Sequence, residues 1–371
     1  MAHLGYFREV FVVRRQWLSE SAYADLVALC QFLPGPASSQ VGMAIGLHRA
    51  GYLGMAAAWL AFTAPSALLL IAFAYGLDAF GQFDGGWISG LKLAAVAVVA
   101  HAVLGMAKSL TPDKERAAIA VLSLAIVSFA HGPFAQVGAI VVGGLAGWLW
   151  LKPDTGEQAQ NHEPLAAMVR PIVALGALVF FFALLGVLPL IAKTSDNEII
   201  MLIDSFYRTG ALVFGGGHVV LALLQTETVT TGLVDGETFL AGYGAAQAVP
   251  GPLFTFAAFL GTANSGTPSG LVGAVVALGA IFLPSTLLVV GGLSYWNRLR
   301  THPSARRMLM GVNAAVVGLL GAALYDPVFT QGITGPQSFA IAAAAFVMLT
   351  AWRPPAWAVV MATTVTGGLV L

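Results

Sequence analysis

The tripeptide Pro-Gly-Pro occurs twice in this chain, each time inside an apolar stretch and each time three residues after a glutamine: Gln31-Phe32-Leu33-Pro34-Gly35-Pro36 and Gln247-Ala248-Val249-Pro250-Gly251-Pro252. A helix cannot run through either copy, because each proline lacks an N–H and its ring clashes with the preceding turn. Broken backbone at membrane depth is tolerated only where it is buried in protein or lines a water-filled cavity. A pair of such breaks, one per half of the chain, is the strongest sequence pointer to a transporter's binding site.

The membrane setting follows from composition: 58% of residues are hydrophobic and 9% charged, against about 25% charged in soluble domains. Apolar runs close to the roughly 20 residues that a bilayer requires recur at Leu53–Leu77, Leu91–Met106, Pro133–Leu151, Pro171–Ala192, Gly270–Tyr295, Met308–Leu324 and Pro336–Trp352. The 43 glycines suit close helix contact in lipid. Zero net charge gives no electrostatic case for nucleic acid. The single cysteine, Cys30, excludes an internal disulfide and reads as a packing residue.

The two breaks belong to an internal duplication. Tyr23 falls on Phe239, Gln31 on Gln247 and Gly35 on Gly251; further on, Pro65-Ser66-Ala67-Leu68-Leu69-Leu70 falls on Pro284-Ser285-Thr286-Leu287-Leu288-Val289, and Ala94-Ala95-Val96 on Ala314-Ala315-Val316. Equivalent loops carry opposite charge. Acidic Asp78–Gly90 corresponds to the segment with Arg298, Arg300, Arg306 and Arg307; the basic stretch with Arg8, Arg14 and Arg15 corresponds to Thr226, Glu227 and Asp235. By the positive-inside rule the halves lie in opposite orientations. The expected fold is therefore an all-α polytopic membrane protein with an inverted-topology internal repeat, its helices broken or re-entrant at the Pro-Gly-Pro and Gly-Gly-Gly motifs. Residues 1–151 form the first repeat, 152–169 a cytoplasmic linker and 170–371 the second. This threading leaves Lys92, Lys193 and Arg208 as the exceptions among 17 basic residues to a cytoplasmic placement.

Helix starts offer unpaired N–H groups and partial positive charge, which bind anions. The substrate-site candidates are accordingly Pro34, Gly35, Pro36, Ser38, Ser39 and Gln40 at the first break, and Gln247, Pro250, Gly251, Pro252 and Thr255 at the second. A further break at Phe214-Gly215-Gly216-Gly217-His218 adds Gly215, Gly216, Gly217 and His218, since glycine permits sharp turns and close approach. Lys92 and Arg208 are candidates for attracting an anion, because intramembrane charges usually serve a pathway; the alternative is snorkelling to headgroups. Asn313, near the position matching Lys92, is a neutral donor. Asp25 reads as the lone acid inside an apolar segment near a break and is the candidate proton carrier. The seven histidines show no metal-ligand spacing. No nucleotide loop or nucleophile elbow is present, so neither cofactor, metal nor enzymatic activity is expected.

The chain resembles the chromate ion transporter family, long-chain two-domain type. The residues that carry the likeness are His3-Leu4-Gly5-Tyr6-Phe7-Arg8, Phe32-Leu33-Pro34-Gly35-Pro36, Phe214-Gly215-Gly216-Gly217, Val249-Pro250-Gly251-Pro252-Leu253 and Gly311-Val312-Asn313-Ala314-Ala315-Val316-Val317-Gly318. The resemblance covers essentially the whole chain. It implies efflux of chromate across the bacterial inner membrane by a multi-pass protein, driven by the proton motive force and conferring chromate resistance. Expected partners are chromate, sulfate as a related tetrahedral dianion, protons, the lipid bilayer and, as an open option, a second copy of the chain. The family pattern places a Phe-Gly-Gly-Pro break just before the His-Leu-Gly-Tyr-Phe stretch, where this sequence begins; the first re-entrant segment is therefore expected to be truncated. From the residues alone the reading is a small-anion carrier, with an anion channel or an intramembrane lipid-modifying enzyme as alternatives.

Overall fold

The computed structural model describes residues 2–79, 86–130, 133–152, 169–195, 197–214, 219–300 and 302–371. All regular structure among them is helical. The first half holds α1 (Ala2–Arg8), α2 (Glu20–Phe32), α3 (Ala37–Ala79), α4 (Gly86–Leu110), α5 (Lys114–Phe129) and α6 (Pro133–Trp150). Next come α7 (Pro171–Thr194), α8 (Glu198–Leu212), α9 (Val220–Thr228), α10 (Gly236–Ala248), α11 (Phe256–Thr262), α12 (Gly270–Arg300), α13 (Pro303–Ala323), α14 (Thr330–Gly332), α15 (Pro336–Val347) and α16 (Ala356–Val370). Five helical stretches among the described residues are long and apolar enough to span a bilayer: Ala37–Leu77, Gly86–Leu110, Pro171–Thr194, Gly270–Trp296 and Pro303–Gly332. On α7 the exposed Ile172, Phe180, Phe182 and Leu190 form an outer face suited to lipid. The linker residues 153–168 lie outside the described residues.

Both Pro-Gly-Pro segments break the helices as their chemistry requires. α2 ends at Phe32, Leu33 is extended (φ −78°, ψ 146°), and α3 restarts at Ala37. α10 ends at Ala248, Val249 is extended (φ −86°, ψ 129°), and the chain resumes through a 3-10 turn at Leu253–Thr255 into α11. The central glycines have φ +121° (Gly35) and +150° (Gly251), conformations that a side chain disfavours. A third bend divides α3: Ala50 and Gly51 leave helical geometry, with Gly51 at φ +64°. The chain thus turns back just after Arg49, and the second part of α3 starts near Leu53.

Helices that follow the first break pack against helices that follow the second. α4 packs on α15 and α16, while α13 packs on α5 and α6. Glycines set both junctions. A Cβ on Gly86 or Gly90 would strike the α16 backbone at Gly367 or Thr363, and one on Gly311 would strike the α6 backbone at Gly143 and Gly147. Such backbone-to-backbone approach is how helices associate where no water drives them together. Gly311→Val is therefore expected to separate α13 from α6 and to lower the melting temperature of detergent-purified protein by several degrees. Gly176→Ala on α7, where an added Cβ meets nothing within 4 Å, is expected to leave it unchanged or raise it. Thermal melts of the two variants check the contrast.

Candidate functional site

The first break is held in place by hydrogen bonds from both sides. Gln40 Nε2 donates to the Pro34 carbonyl (2.7 Å), which a continuous helix would otherwise have bonded. Gly35 N donates to Val213 O (2.7 Å) at the end of α8. A Cβ on Gly35 would collide with Ser285 Oγ of α12 and with Gln40 Nε2, so the glycine is demanded by both its backbone angle and its neighbours.

The second break repeats this arrangement with the halves exchanged. A Cβ on Gly251 would collide with Ser66 Oγ of α3. Thr255 Oγ1 donates to the Pro252 carbonyl (2.8 Å), on the last proline of its motif where Gln40 takes the first of the other. Ser66 and Ser285 are the serines of the duplicated Pro-Ser motif, and each follows a proline inside a long helix. Each break therefore presses its glycine onto the serine of the other half.

Several buried polar atoms around the breaks have no hydrogen-bond partner among the described residues. They are Ser39 Oγ, Gln40 Oε1 and Ser285 Oγ, with Asn313 Oδ1 on α13, while the Gln247 side chain at the second break is engaged with Tyr243. Native interiors leave few such atoms, and each asks for a partner such as a water or an ion. Ser39, Ser285 and Gln247 supply donors, which is what a small anion requires. Thr255 has spent its hydroxyl proton on Pro252. Ser38 is half-buried in the first turn of α3. Gly215, Gly216, Gly217 and His218 lie outside the described residues.

The charged candidates are each matched by carboxylates. Arg208 Nη2 lies 3.0 Å from Asp204 Oδ2 and 2.8 Å from Glu227 Oε2, with side-chain exposures of 17%, 8% and 4%. Lys92 Nζ in the second turn of α4 pairs with Glu237 Oε1 in the first turn of α10 at 3.1 Å. Lys193 lies within electrostatic reach of Asp204. All three basic residues that break the orientation rule thus have acids nearby, which lowers the cost of placing them there. Asp25 is buried on α2, two turns before the first break.

Sequence reasoning missed Asp204 and Glu227. Asp25 is not the lone acid buried near a break, and Thr226 and Glu227 are buried on α9 rather than placed in a loop. The available signal was the spacing of Asp204 and Arg208, four apart on an apolar helix. Gln136 of α6 reinforces this region by donating to Ala222 O (3.2 Å) and Thr226 Oγ1 on α9. Cys30 is buried among Leu26, Val41 and Ile45, as a packing residue should be.

Long apolar helices, lipid-facing side chains and paired interior breaks define an all-α polytopic membrane protein. The chain belongs to the chromate transporter family, whose model matches residues 1–148 and 200–368. It is similar to the chromate transport protein of Pseudomonas aeruginosa, 27% identical over 364 residues, covering 95% of this chain and 83% of that protein. It is also similar to the chromate transport protein of Cupriavidus metallidurans, 25% identical over 331 residues (87% of this chain, 77% of that protein). The uncharacterized transporter YwrA of Bacillus subtilis is 30% identical over 148 residues, only 38% of this chain but 82% of that protein. No solved structure matches the chain.

Removing one member of a buried ionic cluster leaves uncompensated charge and costs about 3–5 kcal/mol. Arg208→Gln is therefore expected to reduce the yield of folded protein sharply. Combining it with Asp204→Asn and Glu227→Gln is expected to restore it. Size-exclusion profiles of the purified variants report the outcome; a fully folded, stable Arg208→Gln protein would show that the carboxylates do not depend on Arg208.

Proposed function

We propose that this chain exports chromate across the bacterial inner membrane, that the paired breaks bind it, and that the proton motive force drives it. Chromate is a tetrahedral dianion. Two helix starts from opposite halves, with the hydroxyls of Ser39 and Ser285 and the amide of Gln247, offer donors and partial positive charge without a fixed cation. A site of this kind holds an anion yet releases it, because no permanent salt bridge has to be broken. The pair of unpartnered buried hydroxyls, Ser39 and Ser285, beside the first break is the observation that carries this reading. The printed names of the Pseudomonas and Cupriavidus relatives supply chromate as the particular anion.

The inverted repeat belongs to the same proposal. The exchanged Gly35–Ser285 and Gly251–Ser66 contacts and a relative matched by well under half of this chain support two repeats, 1–151 and 170–371, joined by a cytoplasmic linker at 152–169. Alternating access would then come from one repeat rocking against the other around the shared breaks. Two places offer buried carboxylates for a coupled proton: Asp25 beside the first break, and the Asp204–Glu227 pair that faces Arg208 and Lys193. Both Asp25→Asn and Glu227→Gln can be tested for uncoupler sensitivity.

Chromate uptake into inverted membrane vesicles tests the central reading. Wild-type uptake is expected to saturate and to fall when an uncoupler is added. Placing a Cβ in left-handed backbone costs about 1–2 kcal/mol before any clash, so Gly35→Ala and Gly251→Ala are each expected to slow uptake roughly tenfold or more. Full activity in both variants would rule out the breaks as the site. If excess sulfate abolishes chromate uptake and sulfate itself is carried faster, the substrate is sulfate and chromate only accompanies it. Uptake unaffected by uncoupler at fixed voltage would identify a channel.

A further inference from the structure

α4 and α10 run side by side from the end pinned by the Lys92–Glu237 ion pair. The helices approach closely at Gly244, where an added Cβ would meet the Leu91 carbonyl. A cavity of about 540 Å³ opens between α4, the last turn of α10 and the bend joining α15 to α16. Its polar wall comprises His101 and Lys108 of α4, Gln247, Thr350 and Arg353. Gln247 stands three residues before Pro250, so the cavity leads from Lys108 and Arg353 directly to the second break.

The wall has a single electrostatic sign. No carboxylate lines the cavity among the described residues, and neither Lys108 nor Arg353 has an acidic partner among them. This sets the pair apart from Lys92, Lys193 and Arg208. Arg353 is also placed unusually: it holds φ +55°, a left-handed conformation uncommon for any residue but glycine, with its N–H donated to Met348 O at 2.9 Å. The volume takes a tetrahedral oxyanion with a shell of waters, each water occupying about 30 Å³. The matched end of α13 has no such wall. With Ala94-Ala95-Val96 set on Ala314-Ala315-Val316, His101 falls on Gly321 and Lys108 on Val328. Two basic segments far apart in sequence therefore meet at this cavity.

We propose that this cavity is a cytoplasmic capture site for oxyanions, in which Lys108 and Arg353 draw a tetrahedral dianion from solution and pass it along His101 to Gln247 at the second break. The proposal rests on the transport reading above. It adds to it the loading side and two residues, Lys108 and Arg353, that the breaks themselves do not contain. Concentrating anions at this mouth favours loading from the cytoplasm, as export requires.

Charge-selective labelling tests the cavity without relying on transport. In a Cys30→Ser background, His101→Cys in inverted vesicles is expected to react roughly tenfold or more faster with an anionic methanethiosulfonate than with a cationic one of similar size, the range in which charged clefts raise encounter rates. Adding Lys108→Gln and Arg353→Gln is expected to abolish that preference, while Lys114→Gln, a basic residue on α5 outside the cavity, is expected to keep it. Sulfate or chromate should slow labelling in the parent and leave the double-neutral variant unaffected. Equal or cation-favouring reactivity in the parent, or no labelling from the cytoplasmic face, would overturn the proposal. An anion preference with no chromate uptake would instead retain the capture site and reject the transport reading.

Discussion

Every backbone N–H and C=O inside a bilayer has to find a partner within the protein, and two Pro-Gly-Pro segments in the middle of this chain make that difficult twice. The fold resolves the difficulty locally and then across the halves. Gln40 takes the Pro34 carbonyl, Thr255 takes the Pro252 carbonyl, and Gly35 N reaches Val213 O. The bare glycines lie against Ser285 and Ser66 of the other half. α3 and α12, the long helices that bring those serines into place, run through Pro65 and Pro284. The donors left over around the breaks are the ones the proposed anion site would use.

Much of this was legible in the sequence. The breaks, their glycine conformations and the spans follow from proline and glycine chemistry and from the length of apolar runs. These are local properties, and Pro133–Leu151 and Pro171–Ala192 match α6 and α7 to within two residues, whereas α4, α12 and α13 extend four or five residues beyond the expected runs. The bend after Arg49 was also readable, since Ala50-Gly51 interrupts an otherwise continuous apolar stretch. What was hidden is partnership. Nothing in the pattern around Ser66 or Ser285 says that each faces the opposite glycine, and nothing around α4 says that it packs on α16. Such pairings depend on tertiary packing, which a single sequence does not encode locally. Glu227 was misread for a related reason: Thr226-Glu227-Thr228 looks like a polar loop, yet α9 is buried whole and its glutamate is held by Arg208 from another helix.

Charge is distributed with the same economy. Basic residues at Lys92, Lys193 and Arg208 lie near acids, and their fields are largely contained. Lys108 and Arg353 have no acidic partner among the described residues and stand at the proposed mouth. A permanent cation inside the site would bind a dianion too tightly to release it, whereas cations at the mouth raise its local concentration without holding it. Neutral donors at the breaks and free cations at the entrance thus divide capture from binding.

The most direct test of this account is the position of the substrate itself. Chromium scatters anomalously, so a crystal of the protein soaked with chromate and measured at the chromium absorption edge would locate the anion without ambiguity. The account predicts a peak within hydrogen-bonding distance of Ser39, Ser285 or Gln247, between the two helix starts. A peak confined to Arg208 or Lys92, or one on the lipid-facing surface, would contradict it.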